Sequence, residues 1–352
     1  MITKTNLFSV AITTLLFACG QAGDKKEAPE DAEKVKFEDK QFPPVVNVKD
    51  LKATNMVPTM QHTLDKGKNT IYATAFLYAW DEVRALLDGP LTVKEDKSSD
   101  FYLVNASNSH KGTLQNDEYT ASAFDSDGIV AEASFKKLLP FAHKMTRYTS
   151  DFKFNGASVQ AFGTNYYDED VVKNQLQILY YKNDDDFIIR VNPKDTAHEL
   201  ILIKSPTYGN TFEGVLKDMG KKEKLGNTEA KANATAWKYE LREGDMVSIP
   251  CISFNVQTNY KGLEGHTFYD TESHLLNVAY QRTAFLLDEE GAIVESVAYA
   301  SADSVGAEPV KVEPKYMLFN KPFVVFVKRK DAANPYFALM VNNAELLVPF
   351  KE

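Results

Sequence analysis

Hydrophobic residues recur along this chain in two rhythms, one of strands and one of helices. Phe323 to Val327 contains no polar residue, the pattern of a strand buried on both faces. A second apolar run, Tyr336 to Val341, follows the charged turn Lys328 to Asp331 and the breaker pair Asn334-Pro335, so the two runs predict a hairpin. Pro322 stands at the mouth of the first run, where a proline removes no ladder hydrogen bond. Further strands are predicted at Phe101 to Val104, Leu176 to Tyr180, Phe187 to Val191, Glu199 to Ile203 and Val247 to Val256. Helical spacing is clearest over Thr70 to Leu87, where Phe76, Trp80, Val83 and Leu87 share a face and Gly89-Pro90 stops the helix. A second helix is predicted over Phe212 to Met219. No internal repeat is found. The expectation is an α+β protein with a predominantly antiparallel, multi-sheet core and surrounding helices.

The first residues follow a different logic. Lys4 precedes an apolar run, Leu7 to Phe17, that is too short to cross a bilayer and ends in Leu16-Phe-Ala-Cys19-Gly20. This resembles a bacterial lipoprotein signal. It implies a signal peptide over residues 1–18, lipidation of Cys19, a tether over residues 19–40 and a folded domain over residues 41–352. Gly20, where an inner-membrane lipoprotein has Asp, points to the cell envelope and the outer membrane. Gln21 to Lys40 is Glu, Asp, Lys, Ala and Gly with almost no large apolar residue, too little to bury for folding. Acyl chains would hold it to the membrane, each buried methylene contributing about 0.8 kcal/mol.

Composition narrows the chemistry. The net charge is −9, the sequence pI is near 5.3, and the basic residues are dispersed, which argues against nucleic acid as a partner. With Cys19 assigned to lipid, Cys251 is left without an intrachain disulfide partner and reads as filler within a buried strand. Stability must then come from the core, for which 44% hydrophobic and 12% aromatic residues are ample. The sequence has no Walker-type glycine loop, no Gly-x-Gly-x-x-Gly, no Gly-x-Ser-x-Gly and no His-Glu-x-x-His. His198-Glu199 lacks a second histidine at helical spacing, and Asp125 to Gly128, Asp168 to Asp170 and Asp184 to Asp186 read first as turn formers. The chain is therefore expected not to be an enzyme and to need neither cofactor nor metal.

One stretch is more specific. Met317 to Val327, MLFNKPFVVFV, fits the C-terminal signature of the serpin family at every position, centred on Phe319, Asn320, Lys321, Pro322 and Phe323. Upstream, Tyr280 to Gly291 resembles the serpin strand that feeds the reactive loop. Val247 to Val256, followed by Leu263, is similar to the family's preceding central strand and the start of its next helix. Glu132 to Lys137 with Phe141 and Phe152, and the hairpin Leu176 to Val191 around Asn183 to Asp186, occur in family order. The resemblance covers roughly residues 128 to 345. Thr70 to Ala79 and Tyr102 to Ala106 are fainter matches. Fewer residues precede Glu132 than the family uses there, so some early helices should be reduced or missing.

The resemblance implies a monomeric protease inhibitor with an exposed reactive loop between Gly291 and Phe319. Cleavage of that loop by the target protease would let it enter the main sheet as a new strand, releasing strain and distorting the protease. The hinge would comprise Glu289, Gly291, Ala292, Val294, Ser296 and Ala298. Every second residue from Ala292 onward is small or uncharged, as burial of one strand face demands. Ile293-Val294-Glu295 departs from the Ala- and Thr-rich family hinge. Two ways of counting place the scissile bond at Val305-Gly306 or at Lys311-Val312. The first suits an elastase-like protease and the second a trypsin-like one, of serine or cysteine type. The alternative is a non-inhibitory surface lipoprotein of the same fold whose loop contacts a protein or other ligand.

Overall fold

Burial of the longest apolar runs on both faces fixes the centre of the molecule. The computed structural model describes residues 40–87, 90–125, 129–164, 175–293 and 313–351, and in it Phe323–Val327 and Phe337–Val341 are buried throughout. In chain order the strands are β1 (Val46–Asn47), β2 (Thr54–Val57), β3 (Asn69–Ala73), β4 (Thr92–Val93), β5 (Thr120–Asp125), β6 (Ile129–Ser134), β7 (Leu138–Pro140) and β8 (Thr146–Arg147). There follow β9 (Phe152–Phe154), β10 (Ala157–Val159), β11 (Ala161–Gly163), β12 (Leu176–Asn183), β13 (Asp186–Val191), β14 (His198–Lys204), β15 (Met246–Pro250) and β16 (Ile252–Asn259). The last are β17 (Thr267–Tyr269), β18 (Ser273–Leu275), β19 (Tyr280–Asp288), β20 (Gly291–Ile293), β21 (Tyr316–Leu318), β22 (Phe323–Arg329) and β23 (Phe337–Val341). The α-helices among the described residues are α1 (Ala75–Leu86), α2 (Asp100–Ala106) and α3 (Phe212–Glu229).

A seven-stranded sheet runs β12-β13-β14-β22-β23-β3-β2, antiparallel except for β2 beside β3. A five-stranded sheet runs β1-β16-β19-β20-β7, antiparallel except for β1 beside β16. A four-stranded sheet runs β21-β15-β11-β8. Smaller ones are β18-β17-β4, β9-β10 and β5-β6. The two largest meet in the core, where Phe285 of β19 stacks on Phe337 of β23 with ring centroids 4.5 Å apart. The fold is thus α+β with mostly antiparallel sheets, and residues Lys40–Glu352 cluster as one compact unit. No helix among the described residues is long and apolar enough to cross a membrane.

The C-terminal hairpin forms as the pattern predicts, Phe323 pairing with Val341 and Val327 with Phe337. So does the β12–β13 hairpin, with a register shift near Tyr180. Four expectations are corrected. The helix predicted over Thr70 to Leu87 is a strand up to Ala73 and a helix only from Ala75, because Thr70-Ile71-Tyr72 are β-forming residues buried between β23 and β2. Phe101 to Val104 is helical, not extended. Ser99 caps α2 by accepting the Tyr102 N–H at 3.1 Å, and Phe101 and Val104 are buried at i, i+3 spacing, which over four residues is easily taken for a strand. Val247 to Val256 is not one strand but two in different sheets. Pro250 has no N–H to continue the ladder, and Cys251 bonds instead to the Gln160 carbonyl and the Val348 N–H. Leu263 lies in a turn and starts no helix. The predicted helix at Phe212 is present and runs on to Glu229.

Candidate functional site: a hinge turn and an open slot

Three consecutive acids, Asp288-Glu289-Glu290, turn β19 into β20. Like charges so close repel, and each is held by cations brought from elsewhere. The Lys40 ammonium lies 2.7 Å from Asp288 and 2.6 Å from Glu290. Lys144 lies 2.6 Å from Glu290, and Arg147 2.7 Å from Glu289 and 3.7 Å from Asp288. Burial would raise the Glu290 carboxyl, but the bonds from Lys144 and Lys40 outweigh it and hold it below the ordinary carboxylate value. Backbone bonds from the Phe141 N–H to the Glu290 carbonyl and from the Met145 N–H to the Glu289 carbonyl, both 2.8 Å, fix the turn. Gly291 follows at φ 150°, in a region that residues with a Cβ avoid.

β20 is short. It pairs with β19 through Leu286–Ile293, Leu287–Ala292 and Asp288–Gly291, and with β7 through Ile293–Leu138, Ala292–Leu139 and Gly291–Pro140. Beyond Ile293 the two flanking edges continue. On one side is β19 from Phe285 back to Tyr280, whose only ladder among the described residues is the one to β16. On the other is β6, laddered to β5. Between them lies a cleft of about 1260 Å³, lined among others by Phe42, Phe76, Trp80, Phe135, Leu276 and Ile293. Along β19 the side chains alternate. Gln281, Thr283, Phe285 and Leu287 are buried, whereas Tyr280 and Arg282 are exposed. The floor of the cleft therefore has a polar part, with the Gln281 amide donating to the Thr283 hydroxyl at 3.0 Å and accepting from Tyr260 at 3.1 Å.

No protein-family model matches the chain, and neither does any curated sequence. Solved structures that it is similar to include several serpins. The thermophilic serpin tengpin in its native state shares 10% identity, over 62% of this chain and 57% of that one, with a TM-score of 0.32. The serpin from Schistosoma mansoni shares 13%, over 62% and 56%, with a TM-score of 0.36, and Serpin48 of the insect Tenebrio molitor 15%, over 61% and 55%, with a TM-score of 0.29. The chain thus spans a little over half the length of these serpins.

The hinge residues of the sequence reading fall as follows. Glu289 is buried in the turn, and Gly291 and Ala292 are already ladder residues of β20. Val294, Ser296 and Ala298, both candidate bonds (Val305-Gly306 and Lys311-Val312) and Cys19 lie outside the described residues. Where the described residues resume, the chain is gripped at Lys315. Its ammonium is buried 2.6 Å from Asp245, its N–H donates to the same carboxylate at 2.7 Å, and β21 then lies parallel to β15.

The signature residues line one joint. Phe319 is buried between Phe187 and Phe323, with ring centroids 5.1 and 5.2 Å away. The Asn320 side-chain oxygen accepts from the Lys204 ammonium at 2.9 Å, and the same ammonium donates to the carbonyls of Asp184 and Leu318, also at 2.9 Å. Lys321 pairs with Asp185 at 2.8 Å, and the Pro322 carbonyl accepts from Tyr208 at 2.8 Å. Burial is the chief reason that Lys204 titrates below an ordinary lysine, while Asp185 pulls the other way. Cys251 is buried, and burial pushes its thiol up to about 12, which leaves it protonated and unreactive at neutral pH.

Sequence reasoning missed Lys40, Lys144, Arg147, Lys204 and the Lys315–Asp245 pair. The acidic triplet was itself the available signal, since three adjacent carboxylates in a folded turn require counterions. Their identity was not readable: 248 residues separate Lys40 from Asp288. Among the described residues, no group of three His, Cys, Asp or Glu is placed to hold a metal ion.

Proposed function

We propose that this protein is a serpin-like protease inhibitor, held in the cell envelope through lipid on Cys19. It would act as a suicide substrate whose cut loop enters the slot between β19 and β6. The observation that carries this reading is that β20 stands at the base of a cleft flanked by two strand edges in line with it. On insertion, the β19–β20 register would continue with Val294 beside Phe285, Ser296 beside Thr283 and Ala298 beside Gln281, all on the buried side of β19. These are the small or uncharged positions of the loop. Glu295 would fall on the opposite face, level with Ala284 of β19 and with Lys136, away from the buried side.

The experiment is incubation with trypsin and with elastase, followed by denaturing electrophoresis. A complex that survives denaturation and vanishes when Lys311 or Val305 is replaced is the expected result, and it would also choose the scissile bond. Clean cleavage without a complex would sink the inhibitor reading in favour of a non-inhibitory binding lipoprotein.

A further inference from the structure

The segment Lys40–Asn47 is neither helix nor part of the buried core, yet it is fastened at three points, one on the β19–β20 turn and two on β16, the strand beside β19. At its start, the Lys40 ammonium bridges Asp288, the last residue of β19, and Glu290 of the turn, at 2.7 and 2.6 Å. In its middle, the Pro43 carbonyl accepts from the Asn255 side-chain amide at 2.8 Å, and the Asn255 oxygen accepts from the Arg282 guanidinium at 2.8 Å. At its end, Val46 and Asn47 pair with Val256 and Gln257 of β16. Val256 is itself level with Thr283 of β19, so the segment runs from the hinge back along five residues of β19. Phe42, between the first two fastenings, lines the cleft together with Ile293 and Ala284.

The charge balance makes the first fastening the critical one. Asp288 is 10% exposed, and apart from Lys40 the nearest cation to it is Arg147 at 3.7 Å, a separation at which no direct hydrogen bond forms. Lys144 and Arg147 neutralise Glu290 and Glu289. Withdrawing Lys40 leaves three adjacent carboxylates with two cations, and the electrostatic cost falls on the turn that seats β20. The segment itself has a two-residue ladder and few buried side chains, the profile of a part that opens locally at small cost.

We propose that Lys40–Asn47 is a strap that keeps the β19–β20 hairpin seated, so that load on the chain upstream of Lys40, or its binding to a partner, sets how readily the hinge moves. The meaning of such control rests on the inhibitor reading above; the mechanical coupling does not.

The test uses the full-length chain and its variants Lys40→Ala and Lys40→Arg, with amide hydrogen exchange followed by mass spectrometry. Losing a partly buried, charge-assisted contact corresponds to roughly a tenfold change in a local opening equilibrium. Exchange over residues 286–293 is therefore expected to rise roughly tenfold in Lys40→Ala and to stay near the parent value in Lys40→Arg, with the β22–β23 hairpin unchanged in both. Equal exchange in Lys40→Ala and the parent, or an equal rise in β22–β23, would overturn the strap. The protease incubation is run on the same samples. A loosened hinge in a chain that forms no protease complex keeps the strap and removes the inhibitor reading. Complexes formed with hinge exchange unaltered do the reverse.

Discussion

Lys204 is the residue on which the signature segment depends most. It is buried, and its ammonium satisfies the carbonyls of Asp184 and Leu318 and the side chain of Asn320. Lys204→Met fills similar space but leaves those acceptors unpaired, so a loss of about 3 kcal/mol is expected in urea unfolding. Glu118 is the residue that sets acid sensitivity. Burial would raise its carboxyl, yet the Gln115 N–H, Lys137 and His198 hold it at about 2 against an ordinary 4.5. Such a depressed carboxylate contributes stability above pH 4.5 that disappears as pH falls toward 2. His198 adds to this from higher pH. Burial is the chief cause that lowers its pKa, so the unfolded chain takes up its proton first, below about 6.5, and stability declines with it. The thermal midpoint should therefore fall in two stages on acidification; Glu118→Gln should flatten the lower stage and, by removing the carboxylate 3.1 Å from His198 that favours its proton, deepen the upper one.

Among the elements, α3 offers a test in which propensity and packing oppose each other. Alanine favours a helix over glycine by about 1 kcal/mol. At Gly220 an added Cβ meets nothing within 4 Å, so Gly220→Ala should stabilise by about that amount. At Gly226 it would lie 2.0 Å from the Leu179 carbonyl oxygen of β12, which forces the helix off the sheet. Overpacking costs of about 1–3 kcal/mol exceed the propensity gain, so Gly226→Ala should destabilise despite improving the helix. Denaturant midpoints of the two variants should shift in opposite directions. Equal shifts would mean that α3 does not rest on β12 as described.

For the whole molecule, the decisive property is whether the five-stranded sheet can be completed from within. Under the proposed insertion, filling the slot would pair the β19 edge that has no ladder there among the described residues and replace a cleft with side chains, so nicking between Ile293 and Glu313 should raise the thermal midpoint above that of the intact protein. Ala298→Arg should abolish that rise and, under the proposed inhibitory function, leave a plain substrate, because on insertion the arginine would face Gln281 on the buried side. Calorimetry before and after limited proteolysis measures both. An unchanged midpoint in the parent would leave the slot without a strand to receive.

Local pattern was enough wherever one element satisfied its own demands. The run Phe323 to Val327, apolar on both faces, could only be a central strand, and the breaker before Tyr336 made its partner a hairpin neighbour. The Ser-Pro-Thr-Tyr approach to Phe212 ended in a helix because Thr211 caps it, a signal carried within four residues. Tertiary structure decided the rest. Asn69 to Ala73 could continue a helical rhythm in isolation and became a strand because β2 and β23 bury it on both sides. Val247 to Val256 read as one strand, and its division between two sheets rests on Pro250 together with contacts from Gln160 and Val348. The acidic turn announced that it needed cations, but Lys40, Lys144 and Arg147 reach it only when distant segments are folded together. A strand's pattern records how much of it is buried; its neighbours, and the ion pairs they bring, are fixed by contacts that no local stretch of sequence contains.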